Sequence, residues 1–347
     1  MKKDLRNTSL EELTAFLTSH GEKAFRAKQV HEWLWKKSTT TIDEMTNLSV
    51  ATRVLLNEHF EILPVSIADK QVSTDGTVKY GFKLHDGFVV EGVLIPTTNR
   101  TTACISSQVG CSLACKFCAT GRLKRERNLR GDEIYDQVSI IAREAMERTG
   151  KPLSNIVYMG MGEPLLNYRN TLDSIALITG EQGLNISPRR ITVSTAGIEK
   201  MIRKLGDDEV NFNLALSLHA ANDEKRNHIM PINEQNSLEA LAESLKYFHA
   251  KTGSRVTFEY IIFKDFNDEL IDAQELAEFC KNVPCKVNII EYNPIDDGEF
   301  AQADPEKVDA FAAHLESKNI IVNIRRSRGK DIDAACGQLA NKNKAAI

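Results

Sequence analysis

The sequence lacks any apolar run near the roughly 20 residues that a membrane-spanning helix needs. Its first residues, MKKDLRNTSLEELTAFL, also lack the apolar region and cleavage site of a signal peptide. We therefore expect a cytoplasmic protein that does not contact a membrane. The pattern of a disulfide framework is missing too, because the seven cysteines are odd in number and clustered. This usage is typical of metal binding or catalysis in a reducing compartment.

A strong net charge is also absent. The value is −4 over 347 residues, so bulk electrostatics do not indicate nucleic-acid binding. Local charge does indicate it, because two basic clusters flank cysteine motifs. This placement favours the interpretation that the clusters contact RNA phosphates over the alternative that they form a solvated face. The first cluster contains Arg122, Lys124, Arg125, Arg127 and Arg130, and the second contains Arg325, Arg326, Arg328 and Lys330.

Three cysteines lie close together in the run GCSLACKFCATG. Cys111, Cys115 and Cys118 have the spacing C-x3-C-x2-C, and no fourth cysteine or nearby histidine follows. A structural zinc ion or a closed cluster needs four protein ligands, whereas three thiolates suit a four-iron cluster with one iron open to a substrate. The alternative is that all three are packing residues on a helix, but Gly110 and Gly121 interrupt the run.

The order of elements predicts an α/β fold. Residues 1–63 carry helical patterns, and residues 64–98 carry two strand-like segments joined at Asp86-Gly87, a strong hairpin signal. From residue 99 to 328, short apolar strands alternate with amphipathic helices, which is typical of a parallel sheet. We expect an open, partial β/α barrel, with a doubly wound sheet as the alternative, and a C-terminal tail at 329–347. The predicted strands are TACISS, NIVYMG, RITVSTA, FNLALSL, RVTFEYIIF, KVNIIEY and IIVNIRR.

The unusual residues fall where these strands end. The cysteine run, MGEP, STAG, SLHA and EYNP each follow a predicted strand. Carboxyl ends of parallel strands meet on one face, so these loops are expected to form one site.

Several motifs together resemble the radical S-adenosylmethionine enzymes, and specifically the RNA adenine C2-methyltransferases of the RlmN type. They are CISSQVGCSLACKFCATG, RNL, MGMGEPLLN, SPRRITVSTAG, SLHA, MPIN, EYNP and DIDAACGQLA, and they span nearly the whole chain. The resemblance implies a radical SAM barrel with a small N-terminal helical domain that grips RNA.

The resemblance also implies two cofactors, a [4Fe-4S] cluster and S-adenosylmethionine. Cys111, Cys115 and Cys118 would hold the cluster, whose open iron takes the amino and carboxylate groups of S-adenosylmethionine. A histidine at a strand end is more often structural than catalytic, so His219 is expected to contribute mainly backbone contacts. The residues implied to bind the rest of that cofactor are Gly162, Glu163, Ser194, Ser217, Leu218, His219 and Asn293.

Two further cysteines and one glutamate receive roles from the same resemblance. Cys336 would accept a methyl group from one cofactor molecule, and a radical from a second would activate that methyl for addition to carbon 2 of adenine. Cys104 would then form a transient disulfide with Cys336 to release the product. Glu91 would remove the C2 proton, although Cys104 competes for this role.

The implied substrates are 23S rRNA, at adenosine 2503 of the peptidyl-transferase centre, and adenosine 37 of tRNAs. We expect a monomer that takes electrons from a donor such as flavodoxin or ferredoxin. An alternative is Cfr-like methylation at carbon 8, but this chain reads MGEPLLN and SSQVGC where the Cfr type has MGEALAN and SSQCGC. A non-catalytic iron-sulfur protein that binds RNA is the alternative from another class, and it would not require Cys104 and Cys336.

Two groups of residues outside these motifs are expected in the core. Cys280 and Cys285 end a helical stretch and open a strand. The aromatic residues of the first segment are expected to form its small core rather than a platform for stacking bases. They are Phe25, Trp33, Trp35 and Phe60.

Overall fold

The computed structural model describes residues 2–341. Residue 1 and residues 342–347, at the outer ends of the first and last predicted segments, lie outside the described residues. No helix within the described range is long and apolar enough to cross a membrane.

The first segment is mainly helical, as predicted. Ser9 caps the first helix: its hydroxyl accepts the Glu12 backbone N–H, and the Glu12 carboxylate accepts the Ser9 N–H, so two otherwise unpaired donors are satisfied. Two short strands that the helical patterns did not indicate, β1 and β2, pair in parallel and bring the segment's ends together. The elements are β1 (Lys3–Asp4), α1 (Leu10–Ser19), α2 (Phe25–His31), α3 (Val50–His59) and β2 (Phe60–Glu61).

The second segment contains three antiparallel strands rather than a two-stranded hairpin. These are β3 (Ser66–Val72), β4 (Val78–Lys83) and β5 (Val89–Pro96). The predicted turn between β4 and β5 is confirmed, and Gly87 adopts a φ of 87° there, which favours glycine. The prediction missed β3 because its side chains are exposed or half-buried on both faces, which leaves no apolar pattern.

The third segment is built around seven parallel strands within residues 99–328, and all seven predicted strands are present. They are β6 (Thr101–Cys104), β9 (Asn155–Tyr158), β10 (Ile191–Thr195), β11 (Asn213–Ser217), β12 (Val256–Ile262), β13 (Cys285–Glu291) and β14 (Val322–Arg325), and a short antiparallel pair, β7 (Gln108–Val109) and β8 (Arg127–Asn128), lies between the first two. The helices are α4 (Gly131–Thr149), α5 (Tyr168–Thr179), α6 (Glu199–Asp207), α7 (Asp223–Ile229), α8 (Leu238–Thr252), α9 (Leu270–Cys280) and α10 (Pro305–Ser317).

The main sheet of the described chain has the order β14-β13-β12-β11-β10-β9-β6-β5-β4-β3. Each parallel strand from β9 to β14 lies beside the one before it, and the order never reverses. A doubly wound sheet requires such a reversal, so that alternative was wrong and the partial β/α barrel is confirmed. The sheet is open, and the antiparallel strands extend it beyond β6.

Buried and partly buried ion pairs join the first segment to α4 and to Arg130, which precedes it. Arg6 contacts Asp136 at 2.6 Å and Asp132 at 3.2 Å, and Arg130 contacts Asp4 at 3.0 Å. The apolar core is also continuous from these helices into the barrel. The division of the chain at residues 63, 98 and 328 stays a prediction.

Candidate active site

The carboxyl ends of the parallel strands surround an open cavity of about 890 Å³, solvent at its mouth included. The loops after β6, β9, β10 and β11 contribute to its wall, as the sequence predicted. The predicted site residues that line it are Cys111, Cys115, Cys118, Gly162, Glu163, Ser194, Ser217, His219 and Cys336.

The cysteine loop is closed at its base by the pairing of β7 with β8. Gly110 is required at this crossing, because a Cβ there would lie 2.1 Å from the Lys124 carbonyl oxygen and the residue has a φ of 75°. Within the loop, the Cys118 N–H donates to the Cys115 carbonyl at 3.1 Å. Burial raises the pKa of the Cys111 thiol to about 11 and raises the pKa values of Cys115 and Cys118 as well. Iron binding at these thiols must therefore displace protons.

The donor set fits an iron-sulfur cluster. Among residues 2–341, no three histidine, cysteine, aspartate or glutamate side chains converge closely enough for one metal ion. The three thiols instead line one cavity without converging on a single point. In a four-iron cluster each cysteine binds a different iron, so thiols spread around a cavity suit a cluster better than a single ion.

Glu163 joins the loops that follow β9 and β10. Its carboxylate accepts the Leu165 N–H at 3.0 Å and the Ala196 N–H at 2.8 Å, and its own N–H donates to Gln108. Burial raises the pKa of Glu163 to about 6 despite these bonds. The preceding Gly162 has a φ of 94°, and a Cβ there would lie 2.5 Å from the Gln108 Cβ. A glycine at this position is therefore what allows the loop after β9 to pack against Gln108.

Polar atoms on the next strands face the same cavity. The hydroxyls of Ser194 and Ser217, on the neighbouring strands β10 and β11, lie 3.3 Å apart. Leu218 is fully buried and does not line the cavity. Asn293 also lies outside the lining, but its side-chain N–H donates to the Cys336 carbonyl at 3.3 Å. Its Oδ1 is buried without a hydrogen-bond partner in the described chain, which suits an added donor from a ligand.

His219 is held as a neutral imidazole. Its Nδ1 accepts the Ile261 N–H at 3.1 Å, so the proton resides on Nε2. Burial, together with the nearby Arg226, lowers the pKa of His219 to about 3. The neutral form is therefore favoured at neutral pH, and the role of His219 stays a prediction.

Cys336 enters the cavity on a C-terminal segment, residues 335–341, that we call the carrier segment. The thiol is open to the cavity, yet the protein around it raises its pKa. Arg325 opposes that rise and lies 3.6 Å from Glu259, and both also line the cavity. Sequence analysis missed this site role of Arg325 and Glu259: Arg325 was assigned to a basic cluster, and Glu259 lies inside an apolar strand.

Cys104 lies behind the cavity wall at the end of β6, where it is buried. Burial raises the pKa of Cys104 to about 12, and the nearby Cys336 thiol adds to the rise. Both are free thiols in this structure. The fold thus brings together two cysteines that are 232 residues apart in the sequence.

Glu91 is not among the cavity-lining residues. It lies on β5, only 4% exposed, and one carboxylate oxygen accepts the backbone N–H groups of Ala340 and Asn341. A glutamate on an alternating strand usually faces solvent, so only the family resemblance singled it out.

Most of the basic cluster residues are bound within the protein. Arg127 pairs with Asp86 and with Glu133, the latter at 2.7 Å, and Arg122 donates to backbone carbonyls. In the second cluster every residue has an acidic partner: Arg325 with Glu259, Arg326 and Lys330 with Glu291, and Arg328 with Asp75. Lys124 and Arg125 remain exposed at the tip of the first cluster.

Two expectations about the core are partly wrong. Phe25 is 48% exposed and Trp33 is half-buried, whereas Trp35 and Phe60 are buried as expected. Phe25 instead packs against Arg26, whose guanidinium lies 5.0 Å from the ring centre. Cys280 is buried, and Cys285 is half-buried and donates to the Cys280 carbonyl.

Comparison with known proteins assigns the family. The model of the Radical SAM superfamily matches residues 105–279, and that of the ribosomal RNA large subunit methyltransferase N-terminal domain matches residues 3–62. A "Probable dual-specificity RNA methyltransferase RlmN" of Cytophaga hutchinsonii is 63% identical, over 98% of this chain and 93% of that protein. The chain belongs to the RlmN family. An RlmN protein of Flavobacterium psychrophilum with the same description is 56% identical over 98% of both chains.

A solved structure matches the chain over the whole fold. The crystal structure of a radical SAM methyltransferase from Sphaerobacter thermophilus is 38% identical, covers 97% of this chain and 99% of its own, and superposes with a TM-score of 0.91.

Proposed function

We propose that this protein is a radical SAM methyltransferase that methylates carbon 2 of adenine, both at adenosine 2503 of 23S rRNA and at adenosine 37 of tRNAs. The observation that carries the proposal is the position of Cys336. It lines the same cavity as Cys111, Cys115 and Cys118, and Cys104 lies close behind it. An iron-sulfur protein that only binds RNA has no use for these two additional thiols.

Each part of the cavity has a role in this proposal. Bound there, a [4Fe-4S] cluster and S-adenosylmethionine would supply a methyl group and a radical. The three loop cysteines would hold the cluster. Glu163, Ser194, Ser217 and the backbone near Gly162 and His219 would hold the cofactor, with Asn293 completing its polar contacts and Leu218 supporting that wall from behind. Cys336 would carry the methyl group, Cys104 would release it, and Glu91 or Cys104 would remove the C2 proton.

The proposal includes partners and location. A single-electron donor such as flavodoxin or ferredoxin would reduce the cluster, and the protein would act as a monomer in the cytoplasm. The exposed Lys124 and Arg125, beside the cysteine loop, would contact RNA phosphates.

The test is mass spectrometry of rRNA and tRNA nucleosides from cells without the gene, complemented with wild type, Cys336→Ala or Cys285→Ala. We expect 2-methyladenosine with wild type and with Cys285→Ala, which lies outside the cavity, and none with Cys336→Ala. The appearance of 8-methyladenosine would instead favour the Cfr-like reaction. Unmodified RNA from the wild-type strain would favour the non-catalytic alternative.

A further inference from the structure

The carrier segment is anchored at three places in the described structure. Beside the cysteine loop, the Ala119 N–H donates to the Gly337 carbonyl at 2.7 Å and the Thr120 hydroxyl to the Leu339 carbonyl at 2.6 Å. After β13, the Gln338 side chain donates to the Pro294 carbonyl at 3.1 Å. The third anchor, at the far end of the segment, is Glu91.

Glu91 binds this end through a single oxygen. Its Oε2 accepts the Ala340 N–H at 2.8 Å and the Asn341 N–H at 3.1 Å. The Asn341 side chain donates to the Val89 carbonyl at 2.7 Å, which fixes the segment along β5. Hydrogen bonds to an ionised carboxylate are stronger than those between neutral groups. Ala340 is only four residues after Cys336, so this anchor limits where the thiol can lie.

The surroundings of Glu91 suit an anchor better than a group that reaches substrate. The side chain is buried, does not line the cavity, and its other oxygen lies 3.6 Å from the Nζ of Lys79, itself buried. Both oxygens thus already have partners within the protein. A base acting on RNA needs an oxygen within hydrogen-bond reach of the substrate proton.

We propose that Glu91 is a positioning residue, which holds Cys336 at the cavity by anchoring the carrier segment. This inference rests on the proposed function, because it concerns the placement of the methyl carrier. Without the carboxylate, two backbone N–H groups lose their acceptor, and beyond Leu339 only the Asn341 side chain still holds the segment, at the Val89 carbonyl. Cys336 would then sample more positions and accept a methyl group less often.

The first test is amide hydrogen exchange over residues 336–341 in the cluster-loaded full-length protein. In Glu91→Ala we expect the Ala340 and Asn341 amides to exchange at least about tenfold faster, with the barrel strands unchanged. The matched control is Asp268→Ala, which removes a buried carboxylate 3.1 Å from Lys307, on another part of the barrel, and should leave these amides at the wild-type rate. In Glu91→Ala the buried charge of Lys79 loses its partner, which destabilises the folded state. If the protein unfolds for this reason, the double variant Lys79→Met, Glu91→Ala removes the unpaired charge. Wild-type exchange in the folded variant would overturn the proposal.

The second test measures the methylated fraction of Cys336 by mass spectrometry. We expect a several-fold lower fraction in Glu91→Ala, and also in Ala340→Pro, which removes one N–H donor and leaves Glu91 intact. Glu91→Gln should stay near wild type because its amide oxygen can still accept. Full methylation of Cys336 in both Glu91 variants, together with accumulation of a covalent RNA adduct, would mean that Glu91 is the base and would overturn the positioning role.

Different results would contradict the proposed function and the positioning role of Glu91. If the wild-type protein contains no methylated Cys336 and produces no methyladenosine, the proposed function is wrong, and the exchange rates still decide whether Glu91 anchors the segment.

Discussion

Burial makes the ionisation of Glu163 costly, and this gives a pH-dependent stability. Its pKa of about 6 in the folded protein exceeds the ordinary 4.5, so the native state binds the proton more tightly than the unfolded state. The stabilisation is present below pH 4.5 and is lost as the pH rises through 6. Between pH 7 and pH 4, we expect the free energy of unfolding of wild type to rise by up to about 2 kcal/mol relative to Glu163→Gln. Denaturant titrations of both proteins measure this difference, and a constant difference across the range would contradict it.

The three loop cysteines are predicted to be individually essential. Changing Cys111, Cys115 or Cys118 to Ala should abolish the iron signal and the cleavage of S-adenosylmethionine, because each thiolate binds its iron directly. Cys285→Ala is the control, since this cysteine lies outside the cavity and should retain full iron content. Iron analysis and absorption spectra of anaerobically purified proteins check this. Full iron content and activity in Cys115→Ala would refute the cluster assignment.

Variants of Cys104 and Cys336 should stop the reaction at different stages. Cys336→Ala lacks the carrier and should give neither product nor adduct, although its cluster remains. Cys104→Ala can still add to adenine, but no second thiol is present to form the disulfide that releases Cys336, so protein joined covalently to RNA should accumulate. Denaturing gels before and after ribonuclease treatment show such an adduct as a slower band that collapses. Normal methylation by Cys104→Ala would exclude this role.

Sequence analysis located the site residues that belong to short, continuous motifs. The cysteine spacing and the motifs at strand ends identified most of the cavity wall. The partners of Glu91 and Arg325 could not be found in this way, because Ala340 and Glu259 lie far from them in the chain. Their pairing exists only once β5, β12 and the carrier segment have been brought together by the fold.

At the scale of elements, the tip of the cysteine loop is the part of the first basic cluster available to RNA. Replacing both Lys124 and Arg125 with Ala should lower the salt dependence of RNA binding by about one to two units, because up to two phosphate contacts are lost. Arg127→Ala is the contrasting variant: it removes the arginine that pairs with the buried Glu133, so it should lower stability while keeping the salt slope. RNA affinity measured from low to moderate salt tests this prediction. An unchanged slope in the double variant would mean that Lys124 and Arg125 are solvated surface residues that do not contact RNA.

Buried elements were predicted from the sequence more reliably than exposed or very short ones. The strand β12 is buried along its whole length and rich in apolar and aromatic residues, and it was predicted correctly. The exposed strand β3 and the two-residue strands β1 and β2 carry no comparable pattern. Their pairing depends on tertiary contacts, which periodicity does not report.

On the scale of the whole molecule, the ion pairs of Arg6 join the N-terminal segment to α4. Arg6→Met should lower the free energy of unfolding by about 3–5 kcal/mol, because Asp136 would remain buried without its cation, whereas Asp132 keeps its pair with Arg130. Arg169→Met, at an exposed pair with Asp173, should leave stability unchanged. Denaturant unfolding measures both, and equal stabilities would show that the buried pairs do not hold the two parts together.

The anchors of the carrier segment also impose an order of assembly. Its partners at Thr120, Glu91 and Val89 precede it by 219 to 252 residues, so these contacts close long loops, and we expect them to form late in folding. A chain emerging from the ribosome therefore exposes its cysteine loop before residues 335–341 have been made. We expect iron to reach these thiols more readily during this interval than after the carrier segment has bound beside the loop.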